Sequence, residues 1–135
     1  MDNFRNAAKA FIVSGGKLLL LKRRPDDPHK PGAWDIPGGR LELGEDPFLG
    51  LAREVGEETK LKVKIIMPIS VNHFVRDDGQ KITLTIYLCE LSGGEISLSE
   101  EHTEYQWIDL KDAPGELSNF FEPTFANLKR IKLNE

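Results

Sequence analysis

Residues 46–61, Asp46-Pro47-Phe48 through Lys60-Leu61, place two demands on one stretch of helix. Asp46 suits an N-cap and Pro47 a first turn. Phe48, Leu51, Ala52 and Val55 then recur at i, i+3, i+4 and i+7, an apolar stripe that needs a sheet to cover it. Glu54, Glu57 and Glu58 stand at i, i+3 and i+4, so three carboxylates share a face about a third of a turn from that stripe. Like charges at these spacings cost roughly a few tenths of a kcal/mol per pair. Gly50 and Gly56 weaken the helix by about 1 kcal/mol each relative to Ala. Such a helix calls for a packing surface on one side and neutralisation on the other. A solvated acidic face is the simpler account of three glutamates taken alone. A divalent cation is the functional one, and hard oxygen ligands without thiolate or a His cluster favour Mg²⁺ or Mn²⁺.

The rest of the chain supplies the sheet. Ala7–Ser14 reads as a strand, Gly15-Gly16 as a tight turn and Lys17–Lys22 as the returning strand. Residues 24–32 carry three prolines in a polar loop. From Ile82 to Cys89 aliphatic residues alternate with Thr, Tyr and Cys, as a sheet with two unequal faces requires. Arg76–Gln80 is the turn that joins this strand to a preceding one around Ile69–Val75, and Tyr105–Ile108 is a further short strand. Pro123 opens a last helix with Phe125, Leu128 and Ile131 inward. Strands with two helical segments interspersed predict an α/β fold, a mixed sheet with helices packed on it, as a single domain over residues 1–135. Cys89 is the only cysteine, which excludes an intrachain disulfide, and its place in an apolar strand reads as a buried inert thiol.

A net charge of −4 over 135 residues supplies no field for a nucleic acid polymer or an anionic membrane, so neither is an expected partner. Met1–Arg5 has no apolar stretch of signal-peptide type, and Leu18–Leu21 is far too short to span a bilayer; the expected location is cytoplasmic. The charge is unevenly spread. Basic residues outnumber acidic ones in residues 1–38, and the reverse holds in residues 39–61.

Gly39, five residues, Glu45, seven residues, then Arg53-Glu54-Val55-Gly56-Glu57-Glu58 resembles the Nudix box, G-x5-E-x7-R-E-U-x-E-E-x-G-U with U a bulky aliphatic. Every specified position from Gly39 to Leu61 matches except Lys60, which stands where the second glycine belongs. The resemblance implies the Nudix fold, a mixed sheet sandwiched between helices. It implies metal ligation by Glu54, Glu57, Glu58 and the Gly38 carbonyl, and structural roles for Gly39, Glu45 and Arg53. Lys60 must adopt a left-handed backbone at roughly 1 kcal/mol, or the turn must differ; altered stability rather than lost chemistry is expected.

The likeness to MutT-related members continues outside the box. Arg24, ahead of Arg23, is expected at substrate phosphate. Glu101 is expected as an additional catalytic or metal-binding acid, with Glu100 and Glu104 as alternatives. Phe121 falls where a base-reading asparagine would stand, Asn119 lies two positions away, and Phe74, Phe120 or Phe121 could stack on a base. His29, His73 and His102 share no ligand spacing and read as surface or strand residues. The implied reaction is metal-dependent hydrolysis of a nucleoside diphosphate linked to a group X. A (d)NTP giving (d)NMP and pyrophosphate is the foremost case, with Glu57 or Glu101 taking the proton of the attacking water. Hydrolysis of ADP-ribose or a dinucleoside polyphosphate, or a catalytically silent nucleotide sensor, are the alternatives. The expected partner is a nucleotide-type small molecule, and the protein a monomer or homodimer.

Overall fold

Gly15 and Gly16 both take positive φ, 57° and 76°, the pair of left-handed residues that a two-residue hairpin turn needs. They join β1 (Phe4–Ser14) to β2 (Lys17–Arg23) in a computed structural model that describes residues 3–131. The two strands stay paired only beside the turn, at Val13–Leu18 and Ser14–Lys17. Further along, β3 (Trp34–Asp35) and β7 (His102–Asp109) pair with β2, while β4 (Gly38–Arg40) pairs with β1 through Ala7, Ala8 and Lys9. On its other side β1 runs parallel to β6 (Lys81–Gly93), and β6 pairs antiparallel with β5 (Lys62–Val75). The result is one seven-stranded mixed sheet, ordered β3-β2-β1-β6-β5 with β4 and β7 off that path.

Alternation along β1, β2 and β6 sorts the core into two layers. Phe11, Leu18, Leu20, Ile82, Ile86 and Leu88 face one side, where Phe125, Leu128 and Ile131 of α2 (Glu122–Ile131) pack on them. Ala8, Ala10, Ile12, Leu19, Leu21 and Cys89 face the other, under Leu51 and Val55 of α1 (Pro47–Thr59). The sheet therefore lies between two helices, the expected α/β/α arrangement. Full burial of Leu51 and Val55 contributes about 1.5–3 kcal/mol each, which outweighs the glycines of α1 at about 1 kcal/mol each. Cys89 is buried and its thiol is pushed up to about 12 by burial.

Three details depart from the pattern. β5 begins at Lys62, well before Ile69, because register shifts at Lys62/Val63, Ile65/Met67 and Pro68/Ser70 break its alternation. The segment after the proline-rich loop contributes β3 and β4, strands too short to show a period. The buried face of α1 is also rotated from the predicted stripe. Phe48 is 54% exposed and touches the edge of the core through Tyr87, with ring centroids 5.5 Å apart. Ala52 is exposed, whereas Glu58 and Thr59 join Leu51 and Val55 in the buried set. Small Ala8 and Ala10 let the helix sit close to the sheet, and the strands beside its last turn offer Glu58 a polar contact that solvent would otherwise supply.

Candidate active site

Asp46 caps α1 as its sequence suggests, its side chain accepting from the amides of Phe48 at 2.7 Å and Leu49 at 3.3 Å. At the other end Lys60 takes φ 65°, the left-handed conformation, and donates its amide to Gly56 O at 3.0 Å. The helix therefore ends as it would with glycine. Gly50 is required by packing, since a Cβ there would meet Leu41 Cδ2 at 2.7 Å and Glu45 Cδ at 2.8 Å.

Glu58 points into the sheet edge and accepts the Gly38 amide at 3.0 Å while remaining only 4% exposed. Burial, together with the nearby charges of Glu54 and Glu101, raises its carboxyl well above the usual range, against the opposing pull of Lys9 and the Gly38 amide. Glu54 is raised as well, chiefly by burial, with Glu57 and Glu101 adding repulsion. Gly39 faces Glu54, whose Oε1 lies 3.4 Å from where a Cβ would stand. Gly38 has φ 128°, and a Cβ there would lie 2.2 Å from Ala8 O, so the strand leaves room for glycine alone.

Arg53 fastens the acidic face to the preceding loop. Its Nε and Nη2 donate to the two oxygens of Glu45 at 2.8 and 2.9 Å, and its Nη1 donates to Glu57 at 3.2 Å. These hydrogen bonds hold Glu45 down to about 2. Glu101 arrives from the loop between β6 and β7. That loop is tied to the last turn of α1 by Ser97 N to Thr59 O and Ser99 N to Glu58 O, and Arg24 N donates to Glu101 O. Helix-end carbonyls that lack partners within α1 thus anchor the loop that delivers a fourth carboxylate.

These parts border one cleft of about 740 Å³, where Glu54, Glu57, Glu58 and Glu101 stand together with Gly38 and Gly39. Behind them lies an ion network that sequence reasoning missed. Asp35, fully buried, accepts from Lys9 Nζ at 3.2 Å and from Arg23 Nε and Nη2 at 3.0 and 2.9 Å. Burial alone would raise the Asp35 carboxyl; Lys9 and Arg23 reverse this and hold it below its ordinary value. The signal was a lone lysine in the apolar run of β1, which has no cheap burial without a carboxylate.

Several expected contacts fall elsewhere. Arg23 lines the cleft, whereas Arg24 pairs with Asp26 at 3.3 Å outside it, reversing their expected order. Phe121 is 1% exposed in the core beneath α2 and reaches no ligand space. Asn119 opens on a different groove with Phe125 and Lys129. The 3-10 turn Asn119–Phe121 sends Phe120 to the cleft and Phe121 into the core. Phe74 and Phe120 do border the cleft, 5.7 Å apart. Of the candidate acids near the C-terminal half, Glu101 reaches it, while Glu104 pairs with Lys22 at 3.6 Å. His29 lines its rim; His73 bonds Thr83 in the sheet, and His102 is half-buried with its ring held below its ordinary value, to about 4, by burial.

The donor set fits a hard divalent cation. Its acids are carboxylates whose mutual repulsion and burial would both be relieved by positive charge. Among the described residues no three His, Cys, Asp or Glu side chains converge closely enough to encage an ion alone. A divalent ion held there by one or two carboxylates would complete its shell with water and substrate oxygens.

A family model described as NUDIX domain matches residues 3–128. A "MutT-like protein" of Streptomyces ambofaciens is 31% identical over 90% of this chain and 71% of its own length. An "ADP-ribose pyrophosphatase" of Methanocaldococcus jannaschii is 31% identical over 80% and 63%, and the "Nucleoside triphosphatase NudI" of Escherichia coli is 33% identical over 76% and 79%. The crystal structure of a MutT protein from Methanosarcina mazei superposes with a TM-score of 0.85 at 27% identity, covering 98% of both chains.

Proposed function

The chain belongs to the Nudix family, hydrolases of phosphoric anhydrides, and from that premise we propose a divalent-metal-dependent pyrophosphohydrolase. Its substrate is a nucleoside diphosphate linked to X, and foremost a (d)NTP that yields (d)NMP and pyrophosphate. One observation carries this reading: Glu54, Glu57, Glu58 and Glu101 meet at the Gly38–Gly39 edge of a single cleft that Lys9 and Arg23 also line.

Glu54, Glu57, Glu58 and the Gly38 carbonyl would hold Mg²⁺ or Mn²⁺, which neutralises charge on the diphosphate and polarises phosphorus. Arg53 holds Glu57 through Nη1 while its Nε and Nη2 hold Glu45. Lys9 and Arg23, each tied to Asp35, line the cleft beside the carboxylates, and their remaining N–H groups would face the anionic chain of the substrate. The oxygen of water adds to phosphorus, its proton passes to a carboxylate, and the anhydride oxygen departs with the electron pair of its bond. Glu57, or Glu101 from its loop, is the base.

The Methanocaldococcus relative supports ADP-ribose as a second substrate class. The cleft, at about 740 Å³, lies in the roughly 300–1,000 Å³ range of small-molecule sites and has room for either class. Incubation of (d)NTPs, ADP-ribose and dinucleoside polyphosphates with Mg²⁺, followed by identification of the released phosphate species, separates them. Pyrophosphate from a (d)NTP, lost in Glu57→Gln while the fold persists, is the expected result. Ligand binding without turnover across the panel would make the domain a sensor instead.

A further inference from the structure

The cleft has two chemically different ends. The glutamates gather at Gly38, which pairs with Lys9 on β1. Arg5 lies four residues further along β1, about 13 Å away at the rise of an extended strand. Arg5, Ile82 and Phe74 form one row across β1, β6 and β5, and Ala7 and Leu84 lie side by side in the next row inward. Ala7, Ile82 and Leu84, with Phe74 and Phe120, give this end an apolar floor suited to a flat heterocycle.

Three arginines stand over that floor: Arg5, Arg40 and Arg76. Each is positioned by an acceptor other than a carboxylate. Arg5 donates to Leu41 O through Nε and Nη2, Arg40 donates to Gln80 Oε1 at 2.8 Å, and Arg76 Nη2 bonds His29 Nε2 at 2.8 Å. Among the described residues Arg5 and Arg40 have no carboxylate within ion-pair distance, and Asp78, the one near Arg76, is 3.9 Å away and more than half exposed. The contrast with Arg23 and Arg53, both gripped by carboxylates, is plain. This end therefore presents fixed guanidinium donors with spare N–H groups. The side-chain acceptors it contains are already engaged by the arginines themselves.

A donor-only wall discriminates bases by their edges. A 6-oxopurine offers two adjacent acceptors, O6 and N7, that match the guanidinium fork, whereas adenine places an amino donor beside N7. Facing that amino group, half-buried Arg5 or Arg76 would have N–H groups left without a partner on the base. Resting on the nucleoside triphosphate reading above, we propose that the Arg5/Arg40/Arg76 end of the cleft reads the carbonyl edge of the base. Of two nucleotides otherwise alike, the one with a 6-oxo group is the better substrate.

ITP and ATP differ only at the 6-position and in the proton that the 6-oxo form carries on the adjacent N1, and they supply the test. With Mg²⁺ present, kcat/KM for ITP should exceed that for ATP by about tenfold or more, the discrimination one bidentate contact provides. In Arg76→Gln that ratio should fall toward one, because glutamine accepts as well as donates. Arg5→Gln serves as a second variant, with thermal unfolding recorded for both. ATP turned over as well as ITP, or folded variants that slow both nucleotides by one common factor, would overturn the inference and leave the hydrolase reading standing. Turnover of neither would instead remove the triphosphatase reading on which it rests.

Discussion

The Glu58 carboxylate and the Gly38 amide meet at 3.0 Å, and each is fixed there by a constraint of its own. Gly38 is wedged against the backbone of β1, where a Cβ would come within 2.2 Å of Ala8 O and 2.6 Å of Lys9 Cα. Glu58 is carried in by the last turn of a helix whose apolar residues are already buried. Gly38→Ala should therefore cost about 2–4 kcal/mol, from a forced shift of backbone at a left-handed position. Gly39→Ala meets only the movable Glu54 carboxylate at 3.4 Å. It should keep nearly wild-type stability and lose turnover. Urea midpoints and initial rates on the two variants check this; equal losses of stability would contradict it.

Arg53 grips Glu45 with two N–H groups, and these hydrogen bonds hold the Glu45 carboxyl down to about 2, from its ordinary value of 4.5. An acid depressed in the folded state stabilises above its unfolded pKa and loses that contribution as pH falls through the folded value. Glu45→Gln should unfold at lower urea than wild type at pH 7, and the gap should close as pH falls from about 4.5 to about 2. Urea titrations at several pH values read it directly. A gap independent of pH would assign the effect to packing.

Much of this was legible in the residues, and what was missed has common causes. The box placed Glu54, Glu57, Glu58, Glu45 and Arg53 because one helix and the loop before it carry them all, so spacing alone sets their geometry. Glu101 needed the resemblance, since its position depends on a loop fastened to Thr59 and Glu58 by backbone bonds that no side-chain pattern records. Lys9, Asp35, Arg5, Arg40 and Arg76 meet only through sheet pairing between distant segments. Which of Phe120 and Phe121 faces the cleft was not legible, because a 3-10 turn at helix entry decides which ring turns inward and aromatic residues side by side carry no period.

The two residues that weaken the end of α1 have different remedies. A Cβ at Gly56 would meet nothing within 4 Å, so no close approach requires glycine there. Gly56→Ala should stabilise by about 0.5–1 kcal/mol. Lys60→Gly should gain about 0.5 kcal/mol, since relief of the left-handed strain exceeds the entropy that glycine adds to the unfolded chain. Neither change touches a carboxylate. Differential scanning calorimetry and initial rates should show raised thermal midpoints with activity retained.

Chelation should abolish hydrolysis, and Mg²⁺ should raise the thermal midpoint by binding the folded state alone. Glu58→Gln separates the cost of the buried charge from its use. The amide oxygen can still accept the Gly38 amide, while the repulsion with Glu54 and Glu101 is gone. The metal-free variant should be more stable than metal-free wild type by about 1 kcal/mol. Its Mg²⁺-induced shift should shrink, and its turnover should fall by about 10²-fold or more. Wild-type stabilisation by Mg²⁺ in the variant would remove Glu58 from the metal-holding set.

Asp35 carries the heaviest structural consequence, because two cations depend on it. Lys9 of β1 and Arg23 of β2 both donate to the same oxygen, Oδ2. Asp35→Asn would leave Lys9 without a carboxylate partner and Arg23 with Asp27 alone, at 3.0 Å, and should cost about 3–5 kcal/mol. Lys9→Met removes one cation and leaves Arg23 with two N–H groups on Oδ2, so its cost should be smaller, about 1–2 kcal/mol. Combining the two should cost less than the sum of the single changes, because the lysine that Asp35→Asn strands is then absent. Urea denaturation of the three variants measures the coupling. A strictly additive result would mean that Lys9 and Asp35 act independently, and that the lysine in β1 is held by Ile36 O, its other partner at 3.2 Å, rather than by the carboxylate.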